Sequence, residues 1–137
     1  MQLAFERIGL VYNPSPEVVP NSRAALRLTE LARAQGKHAV THERLMQAYW
    51  EEAQNIGDPD VLRTLAAELR LDDADASIVG DRHGEDVARG TAEAHAIGID
   101  AIPAYLLDRR LIVLGAQPDD VFDQVAERLG WAAASDS

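Results

Sequence analysis

The sequence predicts an α+β protein that is mostly α, with one small β-hairpin near its C-terminal end. Three observations carry this. Apolar residues recur at helical spacing up to about residue 97. Two short apolar runs, Ala104 to Leu107 and Leu111 to Leu114, flank Asp108-Arg109-Arg110. Finally, Gln117-Pro118-Asp119-Asp120 opens one last amphipathic segment.

Met1 to Leu10, with Leu3, Phe5, Ile8 and Leu10 apolar, reads as a helix remnant or a short strand. It runs into an extended loop fixed by Tyr12-Asn13-Pro14-Ser15-Pro16. Pro20-Asn21-Ser22 is a capping signal, and Ala25, Leu28, Leu31 and Ala32 then set a helix over 22–35 that Gly36 closes. Leu45, Met46, Tyr49 and Ala53 fall on one face of a second helix, 39–54, with Glu43, Gln47, Glu51 and Gln54 opposite. Asp58-Pro59 starts a third, because the carboxylate accepts an orphan N–H while proline occupies the first helical position without loss. Its core stripe is Val61, Leu62, Leu65, Ala66 and Leu69. Asp72-Asp73-Ala74-Asp75 opens a short helix ending near Gly80, and Glu85 to Ile97 forms another that carries Gly90 inside. The hairpin strands, wholly apolar, read as buried on both faces, and the last helix carries Val121, Phe122, Val125, Ala126 and Leu129 up to Gly130. Residues 132–137 read as a frayed tail.

Composition excludes whole classes of chemistry. The 137 residues carry 13 basic and 23 acidic side chains, a formal charge of −10, which repels nucleic acid and anionic membrane surfaces. The longest uncharged apolar stretch, Leu111 to Gln117, is far short of the roughly 20 residues of a membrane helix. No basic and apolar leader opens the chain, so a cytoplasmic location is expected. There is no cysteine, hence no disulfide, thiolate ligand or sulfur nucleophile.

Five segments carry a resemblance. They are Val19-Pro20-Asn21-Ser22-Arg23-Ala24-Ala25, Gln47-Ala48-Tyr49-Trp50-Glu51-Glu52, Asn55-Ile56-Gly57-Asp58-Pro59-Asp60-Val61-Leu62, Gly98-Ile99-Asp100-Ala101-Ile102-Pro103-Ala104-Tyr105 and Leu114-Gly115-Ala116-Gln117-Pro118. In order and spacing, over about residues 19–130, they resemble the cytoplasmic DsbA-like thioredoxin-fold family of polyketide-biosynthesis-type dithiol isomerases, within the 2-hydroxychromene-2-carboxylate isomerase superfamily. The resemblance implies an N-terminal extended segment (1–21), an inserted helical domain (22–97), and the strand–strand–helix C-terminal half of a thioredoxin fold (98–131) before the tail (132–137). It also implies that Ile102-Pro103 is the family's cis-proline dipeptide, whose backbone edge meets peptide or glutathione. The Cys-x-x-Cys part is absent from the sequence, and Arg109 stands where members commonly have glycine in the hairpin turn.

No catalytic residue is therefore assigned, and no cofactor or metal is expected. Ile102 and Pro103 are candidate substrate-binding residues. Tyr49 and Trp50, adjacent and so on different helix faces, are two more: one in the core, the other lining a groove between the insertion and the thioredoxin half. His38 and His42 share a helical face but make only two ligands, and His42-Glu43-Arg44-Leu45-Met46 has methionine where a zinc-protease motif needs its second histidine. Asp72, Asp73 and Asp75 lack the glycine and glutamate of a calcium loop, Glu43, Glu51 and Glu52 read as a solvated face, and His83 and His95 have no identifiable partner.

The reading is a truncated, redox-inactive relative acting as a binding or assembly module. The alternative is the C-terminal portion of a thiol–disulfide oxidoreductase, or of a glutathione-dependent isomerase, whose catalytic half lies upstream or on another chain. With the first strand of the fold missing, the edge at Ala104-Tyr105-Leu106-Leu107 is expected to be bare. A homodimer through that edge then follows, unless residues 1–12 refold to cover it.

Overall fold

The structure is a computed structural model and describes residues 2–14, 17 and 19–131. The elements run α1 (Gln2–Arg7), α2 (Arg23–Ala34), α3 (His38–Trp50), α4 (Pro59–Glu68), α5 (Ala74–Ile78), α6 (Gly84–Ala96), β1 (Ala104–Leu107), β2 (Leu111–Leu114) and α7 (Asp119–Leu129). They form two compact units, Met1–Gly90 and Thr91–Ser137, which divide within α6, upstream of the boundary expected after residue 97. The opening segment belongs to the first unit, and of its two readings the helix is the one observed. The Ser15-Pro16 part of the expected loop and the tail 132–137 lie outside the described residues.

The first unit is held by one apolar cluster. Leu28, Leu62 and Leu65 are its fully buried large side chains, and Ala25, Leu31, Ala32, Leu45, Ala48, Ile56, Ala66, Leu71 and Ile78 surround them. The stripes read from periodicity on α2 and α4 supply most of it. Asp58 accepts from the Asp60 N–H at 2.8 Å with Pro59 at the first helical position, as the sequence requires. At α2 the capping oxygen is that of Asn21, which accepts from the Arg23 N–H at 3.0 Å, while Ser22 makes no cap bond. Asp73 likewise occupies the N-cap of α5 without a side-chain cap bond. The loops before α2 and α4 meet at Gly57, where a Cβ would stand 3.0 Å from the Asn21 nitrogen, so only glycine fits without displacing backbone.

Arg27 ties α2 to α5. Its Nε donates to the Ser77 carbonyl at 2.8 Å and its Nη2 to the Ile78 carbonyl at 3.1 Å, satisfying orphan acceptors at the end of a short helix.

α3 stops at Trp50, earlier than the expected 54. Ala53, assigned from the sequence to its apolar face, instead takes φ of 55°, and the Gln54 N–H turns back to the Ala48 carbonyl at 2.8 Å. Met46, assigned to the same face, is exposed, and Ala48 takes its place in the core.

In the second unit β1 and β2 pair antiparallel, with Tyr105 opposite Val113 and Leu106 opposite Ile112. The strand limits are those read from the sequence; burial on both faces is not. Tyr105, Leu107, Leu111 and Val113 share one face, where Val113 is buried and Tyr105 meets Phe122 of α7 edge-on at 5.1 Å. On the other face Leu106, Ile112 and Leu114 remain exposed, because the unit's amphipathic helix α7 covers only one side. The turn places Asp108 and Arg109 at φ of 52° and 53°, the left-handed region that explains why a glycine suits the second position. The stripe Val121, Phe122, Val125, Ala126 and Leu129 is half-buried, and Gly130 closes α7 at φ of 72°.

Candidate functional site

Tyr49 and Trp50 end α3, where four backbone carbonyls lack helical partners. Asn13 supplies two donors: its N–H reaches the Trp50 carbonyl at 2.6 Å and its side-chain Nδ2 the Glu51 carbonyl at 3.2 Å. This clamp lays Tyr12 on Trp50, rings 5.9 Å apart and 28° from parallel, and brings in Phe5 of α1, 5.0 Å from Tyr12 and 5.8 Å from Trp50. Tyr49 touches Trp50 edge-on at 4.7 Å and packs against the apolar core.

Trp50 lines a cleft of about 340 Å³ together with Phe5, Leu10, Met46, Glu43, Gln47 and Glu51. Every lining residue belongs to the first unit. Glu43, Met46, Gln47 and Trp50 of α3 and Glu51 at its C-cap recur at helical spacing, so one stripe of α3 and its end forms the wall. Phe5, Leu10 and Tyr12 were not legible as site residues, because their approach depends on the Asn13 clamp across 38 residues.

Electrostatics divide the nearby carboxylates. Arg44 pairs with Glu68 at 2.9 Å and Glu52 at 3.1 Å; burial works against its charge, but these hydrogen bonds raise its pKa above the ordinary arginine value. Glu52 is thereby engaged. No basic side chain among the described residues pairs with Glu43 or Glu51 at the cleft.

The other candidates fall elsewhere. The Ile102–Pro103 peptide bond is cis, the Pro103 carbonyl accepts from the Gly115 N–H at 2.7 Å, and Ile102 is 90% exposed beside the start of β1. These two residues lie in the second unit; Tyr49 and Trp50 lie in the first. His38 and His42 stack at 6.1 Å, and Arg33 donates to His38 Nε2 at 2.9 Å. Asp75 is held by Arg63 at 2.8 Å, and among the described residues no group of three or more His, Asp or Glu is placed to hold a metal. His83, read from sequence as partnerless, has one: its Nδ1 lies 2.9 Å from Asp86 Oδ2, a contact across one helical turn. That imidazole, with Arg89, holds the Asp86 carboxyl below the usual aspartate range. Among the described residues no helix is long and apolar enough to cross a membrane.

A helical unit followed by a strand–strand–helix unit makes this an α+β protein. The chain belongs to the DSBA-like thioredoxin domain family, whose profile matches residues 1–130. It is 34% identical over 129 residues to the uncharacterized protein YwbO of Bacillus subtilis, covering 90% of this chain and 64% of that protein. It superposes on a probable DsbA oxidoreductase from Streptomyces coelicolor with a TM-score of 0.83 at 24% identity, over 99% of this chain and 60% of that one. The chain therefore spans somewhat under two-thirds of the length of each relative, and at that identity the structural likeness speaks for the fold.

Proposed function

We propose that this cysteine-free DsbA-like domain has no redox activity of its own and works as an assembly module whose small sheet is completed by a second copy of the chain. Thiol–disulfide exchange proceeds by thiolate attack through a mixed disulfide, and none of the 137 residues supplies a thiolate. The observation that carries the assembly reading is the open face and edge of the hairpin. Leu106 is 47% exposed, with Ile112 and Leu114 beside it, and two strands alone rarely make a stable sheet. Burying such a side chain fully is worth roughly 1.5–3 kcal/mol, and an unpaired edge is a template for another strand. A two-fold pairing of like edges satisfies the unpaired backbone groups and sets the two apolar faces side by side in one larger sheet. An extended peptide is the competing occupant of the same edge, and glutathione beside Ile102 and Pro103 is the small-molecule counterpart.

Two measurements test this. In insulin reduction with dithiothreitol, the rate is expected to match the protein-free control; a rate that scales with protein concentration through repurification overturns the redox claim. Light scattering at micromolar concentration is expected to give twice 14.9 kDa, falling to the single-chain mass in Leu106→Lys. A wild-type mass of 14.9 kDa removes the second copy and leaves peptide as the edge's occupant.

A further inference from the structure

The aromatic cleft of the first unit is built for a ligand of one charge type, and the sheet edge plays no part in it. It is lined by Phe5, Leu10, Met46 and Trp50 together with Glu43, Gln47 and Glu51. Residues 43 and 51 are eight apart, about 12 Å along a helix axis, so a ligand at the centre can meet either carboxylate. Arg44, on the same helix, is occupied by Glu52 and Glu68, so among the described residues no ion pair quenches the Glu43 and Glu51 charges from within. Half-buried aromatic rings, exposed methionine and unpaired carboxylates together favour a group that is cationic yet weakly hydrated.

We propose that the cleft takes the side chain of an arginine presented by a polypeptide partner, its guanidinium against Trp50 and paired with Glu51 or Glu43. The volume of about 340 Å³ suits one long side chain rather than a folded surface. The guanidinium meets each requirement: it is planar, stacks on aromatic faces, loses less hydration than an ammonium and binds a carboxylate through two parallel donors. Its methylene stem lies on Leu10 and Met46. The chain's charge of −10 adds a long-range attraction for a basic partner.

The test uses the full chain, ¹⁵N-labelled, titrated with N-acetyl-L-argininamide and with its neutral isostere N-acetyl-L-citrullinamide at matched ionic strength. The arginine probe is expected to shift the amides of Met46, Gln47 and Glu51 and the Trp50 indole N–H saturably, with citrulline at least tenfold weaker. The double variant Glu43→Gln/Glu51→Gln is expected to bring arginine down to the citrulline level at an unchanged urea midpoint, since neither side chain pairs among the described residues. Met46→Lys, at a 37% exposed position, places a cation in the cleft and is expected to abolish binding without unfolding. Equal affinity for the two probes, shifts that map away from α3, or full arginine affinity in the double variant each overturn the proposal.

Discussion

Replacing Arg27 with methionine removes two hydrogen bonds while keeping an unbranched apolar stem of similar length in the gap between α2 and α5. Its guanidinium donates at 2.8 Å and 3.1 Å to the carbonyls of Ser77 and Ile78, residues that are themselves almost wholly buried. A hydrogen bond to a charged group contributes about 1.5–3 kcal/mol, and stranding a buried acceptor costs about 1–3 kcal/mol. The Arg27 side chain is 16% exposed, so water can reach part of the gap, and the expected loss is about 2–4 kcal/mol rather than the full sum of two bonds. Arg27→Lys is expected to lose about half of that, because a single ammonium cannot span both carbonyls as the planar fork does. The ion pair to Asp81 is a built-in control: at 3.8 Å, to a carboxylate 90% exposed, Asp81→Asn is expected to change stability by less than about 0.5 kcal/mol. Urea unfolding followed by Trp50 fluorescence in a Trp131→Phe background reads the first unit alone. Arg27→Met within about 0.5 kcal/mol of wild type at unchanged m-value, or Asp81→Asn as costly as Arg27→Met, refutes the reasoning.

Three other outcomes are expected. Thr41 is fully buried and its hydroxyl has no partner among the described residues, so Thr41→Val, which keeps the β-branched shape, is expected to raise stability by about 1 kcal/mol in the same urea assay; a loss would mean the hydroxyl is bonded. Gly90 is exposed inside α6 with open space where a Cβ would sit, so Gly90→Ala is expected to add about 0.5–1 kcal/mol and raise the calorimetric midpoint, and no rise would mean residue 90 needs a conformation only glycine reaches. Asp86 is held below the usual aspartate range by His83 first and Arg89 second, so its contribution is present above the unfolded aspartate pKa and lost as pH falls through the lower folded value. A carboxyl-carbon NMR titration is expected to place the Asp86 midpoint below the ordinary value in wild type and to move it up in His83→Ala; a midpoint at the ordinary value contradicts the assignment.

Local chemistry was readable from the sequence wherever it acts over a few residues. Asp58-Pro59 announced the start of α4, Gly130 the end of α7, and the 3.6-residue period picked out Leu28, Leu62 and Leu65. The hairpin limits followed from two apolar runs around three polar residues, and the absence of cysteine sets the chemical limit by composition alone. Tertiary structure decided what depends on distant partners. α3 ends at Trp50 because Asn13 caps its last carbonyls from 38 residues away and Ala53 turns left-handed, and no periodicity encodes either. Met46 is apolar and correctly spaced for a core, yet it lines a cleft, because Phe5 and Leu10 approach that side of the helix without covering it. The hairpin is the clearest case. Alternation and composition state that both faces of a strand are apolar, but whether a face is buried depends on a second layer being there to cover it, and α7 supplies one layer to a sheet that has two faces.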